Sequence, residues 1–175
     1  MTTLLPFPVP AKPVLRILFV ATDATGTAGY RAWARRMGIQ VDARIVGVDE
    51  AAPDLIVPTV LLAAGSATAR AAALCRDLAT APDRFVVLDV SGTEPAGCGR
   101  IDTAVTVLAT GITAERVVAW RRVTSKRTAI RLFPVDEATL LSADSPVVPV
   151  LQTMFRVGER WLPREPVTTG PALPR

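Results

Sequence analysis

Six short runs rich in β-branched and apolar residues recur along the chain, at Val14 to Ala21, Val41 to Val48, Thr59 to Ala64, Phe85 to Val90, Ala104 to Ala109 and Thr128 to Phe133. Helix-like stretches separate most of them: Ala28 to Met37 ending at Gly38, an alanine-rich run from Ser66 to Ala79, Thr113 to Val123, and Val147 to Val157 before Gly158. Strands that alternate with helices predict an α/β protein, a mostly parallel sheet with helices on both faces. At 175 residues, half of them apolar, the chain suffices for one domain with a sizeable core and no disulfide or metal.

Residues 1–13 carry four prolines and read as an extended N-terminal arm. Residues 14–157 form the expected domain, and 158–175 form a Pro-rich tail. Prolines interrupt the apolar N-terminus where a signal peptide needs a helix, and no apolar run approaches the roughly 18 residues of a membrane span. A cytoplasmic protein without membrane contact is expected. Between Val48 and Thr59 lie ten residues, two of them proline. A crossover between parallel strands usually takes about a dozen residues including its helix, so a covering helix is expected to be missing here. Cys75 and Cys98 lack CxxC spacing and any histidine, which predicts ordinary thiols and no metal site.

Several fragments, in order, resemble type II thioesterases of nonribosomal peptide and polyketide biosynthesis, enzymes that remove wrong acyl groups from carrier proteins. The run from Leu15 to Trp33 is similar to their opening strand, "FPYAGG"-like loop and helix, with Tyr30-Arg31-Ala32-Trp33 matching the helix signature without a gap. Val60 to Leu74 resembles the strand, "GHSMG" elbow and alanine-rich helix, with Ser66 at the nucleophile position. Val86 to Gly92 and Ala104 to Gly111 resemble the next two strands, while Val118 to Arg121 and Arg131 to Pro134 are similar to "ARAWR" and "RVFPGGH". The resemblance spans about Leu15 to Leu141 and implies a truncated α/β-hydrolase fold.

The chemistry implied by that resemblance is incomplete, because the chain contains no histidine. A serine hydroxyl needs a positioned base, supplied in this fold by an imidazole that an acid holds in place. Glu137 stands where the histidine would fall, and Gly111 and Ile112 occupy the acid's place. The elbow glycines become Ala64 and Thr68, and the oxyanion loop has Ala24 and Thr25 for its glycine pair. Only Thr93 to Arg100 lies where the family carries a helical lid, so the lid is expected to be absent. A conventional Ser-His-Asp hydrolase is excluded.

Ser66 then has two readings, a helix N-cap or a hydroxyl retained in an altered site together with Asp23 or Glu137. Only two of the basic residues are lysines, Lys12 and Lys126. Arg121, Arg122, Lys126, Arg127 and Arg131 fall in one short stretch, fit either to grip an anionic substrate or acidic partner or to sit as a solvated helix end. No aromatic platform or motif accompanies them, so nucleic-acid binding is not expected.

Missing lid and helix together would leave an apolar surface, which points to a partner chain, in a heteromer or a homodimer, or to a carrier protein. The leading expectation is a non-hydrolytic thioesterase-like subunit in natural-product biosynthesis. An alternative is an enzyme that uses Ser66, Asp23 or Glu137 for ring closure or elimination. A lesser one is a flavodoxin-like nucleotide-binding domain, suggested by Thr22 to Gly29. No cofactor is expected in the leading reading.

Overall fold

A computed structural model describes residues 15–22, 24–37, 41–47, 57–78 and 80–158. The expected arm 1–13, the residues after Gly158 and most of the short connection after Gly47 lie outside these.

All six expected strands form: β1 (Leu15–Ala21), β2 (Val41–Gly47), β3 (Thr59–Ala64), β4 (Arg84–Asp89), β5 (Val105–Ala109) and β6 (Thr128–Leu132). They build one sheet in the order β2-β1-β3-β4-β5-β6, and every ladder is parallel. The four central strands are buried on both faces, which is why their sequences read as unbroken apolar runs. The edge strand β2 is weaker in pattern because its inward positions include a charge cluster. Asp42 is buried and accepts from Arg16 at 2.8 Å and from Arg44 at 3.0 Å.

Among the described residues five helices cover the sheet. On one face, α1 (Ala24–Arg36), α4 (Glu137–Leu141) and α5 (Val147–Gly158) pack on Ile17, Phe19, Leu62, Val86, Leu88 and Leu108. On the other, α2 (Ala67–Asp77) and α3 (Ala114–Val123) pack on Leu18, Val20, Leu61, Ala63, Phe85, Val87 and Val107.

Tyr30 and Trp33, the aromatic signature of α1, serve this packing. Tyr30 stacks on Phe19 at 4.9 Å and meets Trp33 edge-on at 5.7 Å. The Trp33 indole N–H donates to the Ser142 carbonyl at 2.7 Å, fastening the segment between α4 and α5 to α1.

Two boundaries depart from the sequence reading. α1 begins at Ala24 rather than Ala28, although Gly26 and Gly29 disfavour helix. At Gly29 the helix touches the end of α4 so closely that an added methyl group would come within 3.1 Å of the Leu141 carbonyl oxygen. The helix also takes up the stretch from Ala24 to Gly29. The second departure is α4, five residues that no periodicity announces. Asp136 caps it, accepting from Thr139 N–H at 2.7 Å.

Where the thioesterase resemblance places a lid, the chain makes one 3-10 turn, Pro95–Cys98. Arg76 donates to the Cys98 carbonyl and pins that turn to α2.

Candidate functional site

The carboxyl ends of the strands carry the turns in which ligands of open α/β sheets bind, favoured where strand order reverses. Here the reversal lies between β1 and β3. Thr22 follows β1 and Ser66 follows β3, and their hydroxyl oxygens lie 3.4 Å apart at the surface.

Ser66 occupies the N-cap position of α2, yet its side chain makes no capping hydrogen bond. The expected N-cap position is thus observed, without the side-chain bond that usually accompanies it. Nor does Ser66 sit on a strained elbow. It is helical, at φ −64° and ψ −21°, and the left-handed conformation falls instead on Gly65, at φ +53°. The strain that thrusts a nucleophile out of such a turn is absent at Ser66.

One strand over, at the ends of β4 and β5, an open cleft of about 310 Å³ is lined by Asp89, Ser91, Gly92, Glu94, Thr110, Gly111, Arg116 and Glu137 among others. Its base is an ion pair. The Asp89 side chain is 1% exposed and accepts from Arg116 Nε at 2.9 and 2.8 Å and from Nη2 at 2.5 Å. The Trp120 indole adds a hydrogen bond at 3.2 Å, and Arg116 Nη2 also reaches the Thr93 carbonyl at 2.5 Å. Hydrogen bonds to Asp89 hold the Arg116 guanidinium above its ordinary range. Arg116 and Trp120 are i,i+4 neighbours and share the inner face of α3.

The buried Thr93 hydroxyl ties the two turns together. It accepts from Gly65 N–H at 3.0 Å and from Val90 N–H at 3.2 Å, and it donates to the Leu88 carbonyl at 3.2 Å.

Glu137 reaches this cleft, but it does not meet Ser66. Its Oε2 accepts from Ser91 N–H at 3.0 Å and from the Ser91 hydroxyl at 2.9 Å. Asp23 lies outside the described residues. Gly111, at the expected acid position, is exposed, and a side chain there would meet no atom within 4 Å. Of the three candidate catalytic residues the structure thus places Ser66 and Glu137 near one end of the sheet without joining them.

The basic stretch is elsewhere. The carbonyls of Val123 and Arg127 accept from Ile101 N–H and Val105 N–H, which puts Arg121, Arg122, Lys126 and Arg127 at the opposite, amino-terminal end of the strands. All four are exposed, and Lys126 pairs with Asp102 at 3.3 Å. Arg131 stands apart on β6, over the Phe133 ring at 5.7 Å. None of the five lines the cleft.

Cys75 and Cys98 are buried thiols, pushed by desolvation up to about 12 and about 11. Among the described residues no helix is long and apolar enough to cross a membrane.

Sequence reasoning missed Asp89, Ser91, Thr93, Arg116 and Trp120. One signal was present, a carboxylate closing the otherwise apolar run Phe85-Val-Val-Leu88 at the end where ligands bind.

No family model and no curated protein sequence matches the chain. Solved structures match its fold. RedJ, the thioesterase of the prodiginine pathway in Streptomyces coelicolor, superposes with a TM-score of 0.57 at 16% identity, over 86% of this chain and 98% of its own. RedJ with a polyethylene glycol molecule in its active site gives a TM-score of 0.57 at 15% identity, over 82% and 92% of the two chains. ClbQ, from the colibactin nonribosomal peptide and polyketide pathway, gives 0.59 at 9% identity, over 84% and 99%. The chain therefore has a thioesterase-like α/β fold, in shortened form.

Proposed function

We propose that this chain is a non-hydrolytic thioesterase-like subunit in natural-product biosynthesis, acting in complex with a partner enzyme chain. The observation that carries the first half is the separation of Ser66 from Glu137. The serine is bonded to Thr22 and the glutamate to Ser91. With no imidazole anywhere in the chain, nothing relays a proton from the Ser66 hydroxyl.

The partner half is supported by what the shortened fold leaves open. Leu132, on the edge strand β6, is 55% exposed, and Val118 on α3 is 45% exposed. A single 3-10 turn stands where a lid would close the cleft. Exposed apolar groups beside a strand edge that is unpaired among the described residues suit a protein contact.

Two measurements test the reading together. Purified chain incubated with acyl-coenzyme A thioesters should release at most one equivalent of thiol and thereafter no more than buffer does. Co-expression with the proteins encoded beside it should yield a stoichiometric complex by size exclusion. Steady-state thiol release, or a monomer that captures none of those partners, overturns it. The cleft sustains a second reading, an enzyme for ring closure or elimination, now centred on Glu137 rather than Ser66. Unchanged pathway output from Glu137→Gln would remove it.

A further inference from the structure

We infer that Ser91, paired with Glu137, is the reactive hydroxyl of the cleft and accepts an acyl group from an activated ester or thioester. The pairing is direct. The Ser91 hydroxyl donates to Glu137 Oε2 at 2.9 Å, the separation a general base needs, and both residues line the same open cleft. A second bond, from Ser91 N–H to the same oxygen at 3.0 Å, fixes the carboxylate against the serine it would deprotonate. Asp136 and its bond to Thr139 set the start of α4 and so aim Glu137 at the turn.

The surroundings supply the remaining requirements. Ser91 is exposed, so an acyl group can reach it. The Ser66 and Ala67 N–H groups stand at the head of α2, where helix geometry gives them no intrahelical acceptor. These amides adjoin the Ser91-Gly92 turn. A methyl on Gly92 would lie 3.9 Å from Ser66 N, and one on Gly65 would lie 3.3 Å from the Ser91 carbonyl oxygen. Free amides at a helix head suit the oxyanion of a tetrahedral intermediate. Arg116 lines the cleft as a cation held in place by Asp89.

In the step, Ser91 Oγ forms a bond to the acyl carbon while its proton passes to the Glu137 carboxylate. The C–S or C–O bond to the leaving group then breaks, and the departing thiolate or alkoxide takes that proton. Glu137 is restored as a carboxylate and the acyl group rests on Ser91. Capture of this kind needs no turnover, so it goes beyond the partner reading and does not depend on it.

The test is covalent labelling of the full chain by a fluorophosphonate probe, with the modified residue mapped by peptide mass spectrometry. Labelling of native protein at Ser91 is expected. Ser91→Ala should abolish it, and Glu137→Gln should slow it on the order of a hundredfold, the lower end of a general base's contribution. Ser125→Ala, at the other end of the sheet, should label like the parent. Circular dichroism melts establish that each variant is folded. Three results each overturn the assignment: label on Ser66, labelling that survives Ser91→Ala, or native protein that labels no faster than unfolded chain. In the last case the Ser91 to Glu137 contact only fastens α4 to the sheet.

Discussion

The base of the cleft gives the sharpest stability prediction. In Arg116→Leu the Asp89 carboxylate, 1% exposed, loses its contacts from Nε and Nη2 and keeps only the Trp120 indole. Removing one partner of a buried ion pair costs about 3–5 kcal/mol, because the other charge stays desolvated. The Arg116 side chain is 32% exposed, so water already screens part of the attraction. A loss of about 2–4 kcal/mol is expected. For a chain of this size each kcal/mol moves Tm by about 2–4 °C, so the midpoint should fall by roughly 10 °C. The double variant Asp89→Leu/Arg116→Leu leaves no stranded charge and should regain most of the loss. Urea unfolding followed by circular dichroism measures all four corners of the cycle. A single variant that loses under about 1 kcal/mol, or a double variant whose loss is the sum of the two singles, would refute the reasoning.

Three further outcomes are expected. Gly65→Ala should lose about 1–2 kcal/mol in urea titration, because φ is +53° and the added methyl meets the Ser91 carbonyl oxygen at 3.3 Å; Gly111→Ala, with open space around it, should stay within about 0.5 kcal/mol of the parent. Burial raises the Asp42 carboxyl, but hydrogen bonds from Arg44 and Arg16 outweigh it and leave the group below its ordinary value. That contribution is full above about pH 4 and disappears as pH falls through the folded-state value, so Asp42→Asn should show a shallower drop in urea midpoint between about pH 5 and 3 than the parent. A disulfide reagent at about pH 8 should leave native Cys75 and Cys98 unmodified and should titrate both once the chain is unfolded, since burial keeps them as thiols.

The strands were legible because a parallel sheet buried on both faces demands continuous apolar runs, and β1, β3, β4 and β5 supply them. Helix α4 was not, since five residues give no period to detect. Glu137 could be placed by resemblance, but its partner could not. The Ser91 contact spans 46 positions and exists only because α4 crosses the end of β4. Asp89 and Arg116, 27 positions apart, were hidden in the same way. Ser66 was legible as a position and not as a conformation, because the left-handed turn settled on Gly65. The basic run was legible as composition only. The chain bends between α3 and β6, which takes four of its members to the far end of the sheet and leaves Arg131 on the edge strand.

The fastening of Trp33 to Ser142 joins residues 109 positions apart, and the bond from Gln152 to the Arg36 carbonyl joins residues 116 apart. Every ladder in the sheet is parallel, so no pair of neighbouring strands can close through a tight hairpin. During synthesis the face bearing Phe19, Leu62 and Leu88 must wait for Val147, Val148 and Leu151 before its cover is complete. A chain released or stalled before α5 would present that face to solvent. Such exposure makes an intermediate prone to aggregation, so the yield of folded protein should depend on chaperone supply more than the modest length of the chain would suggest.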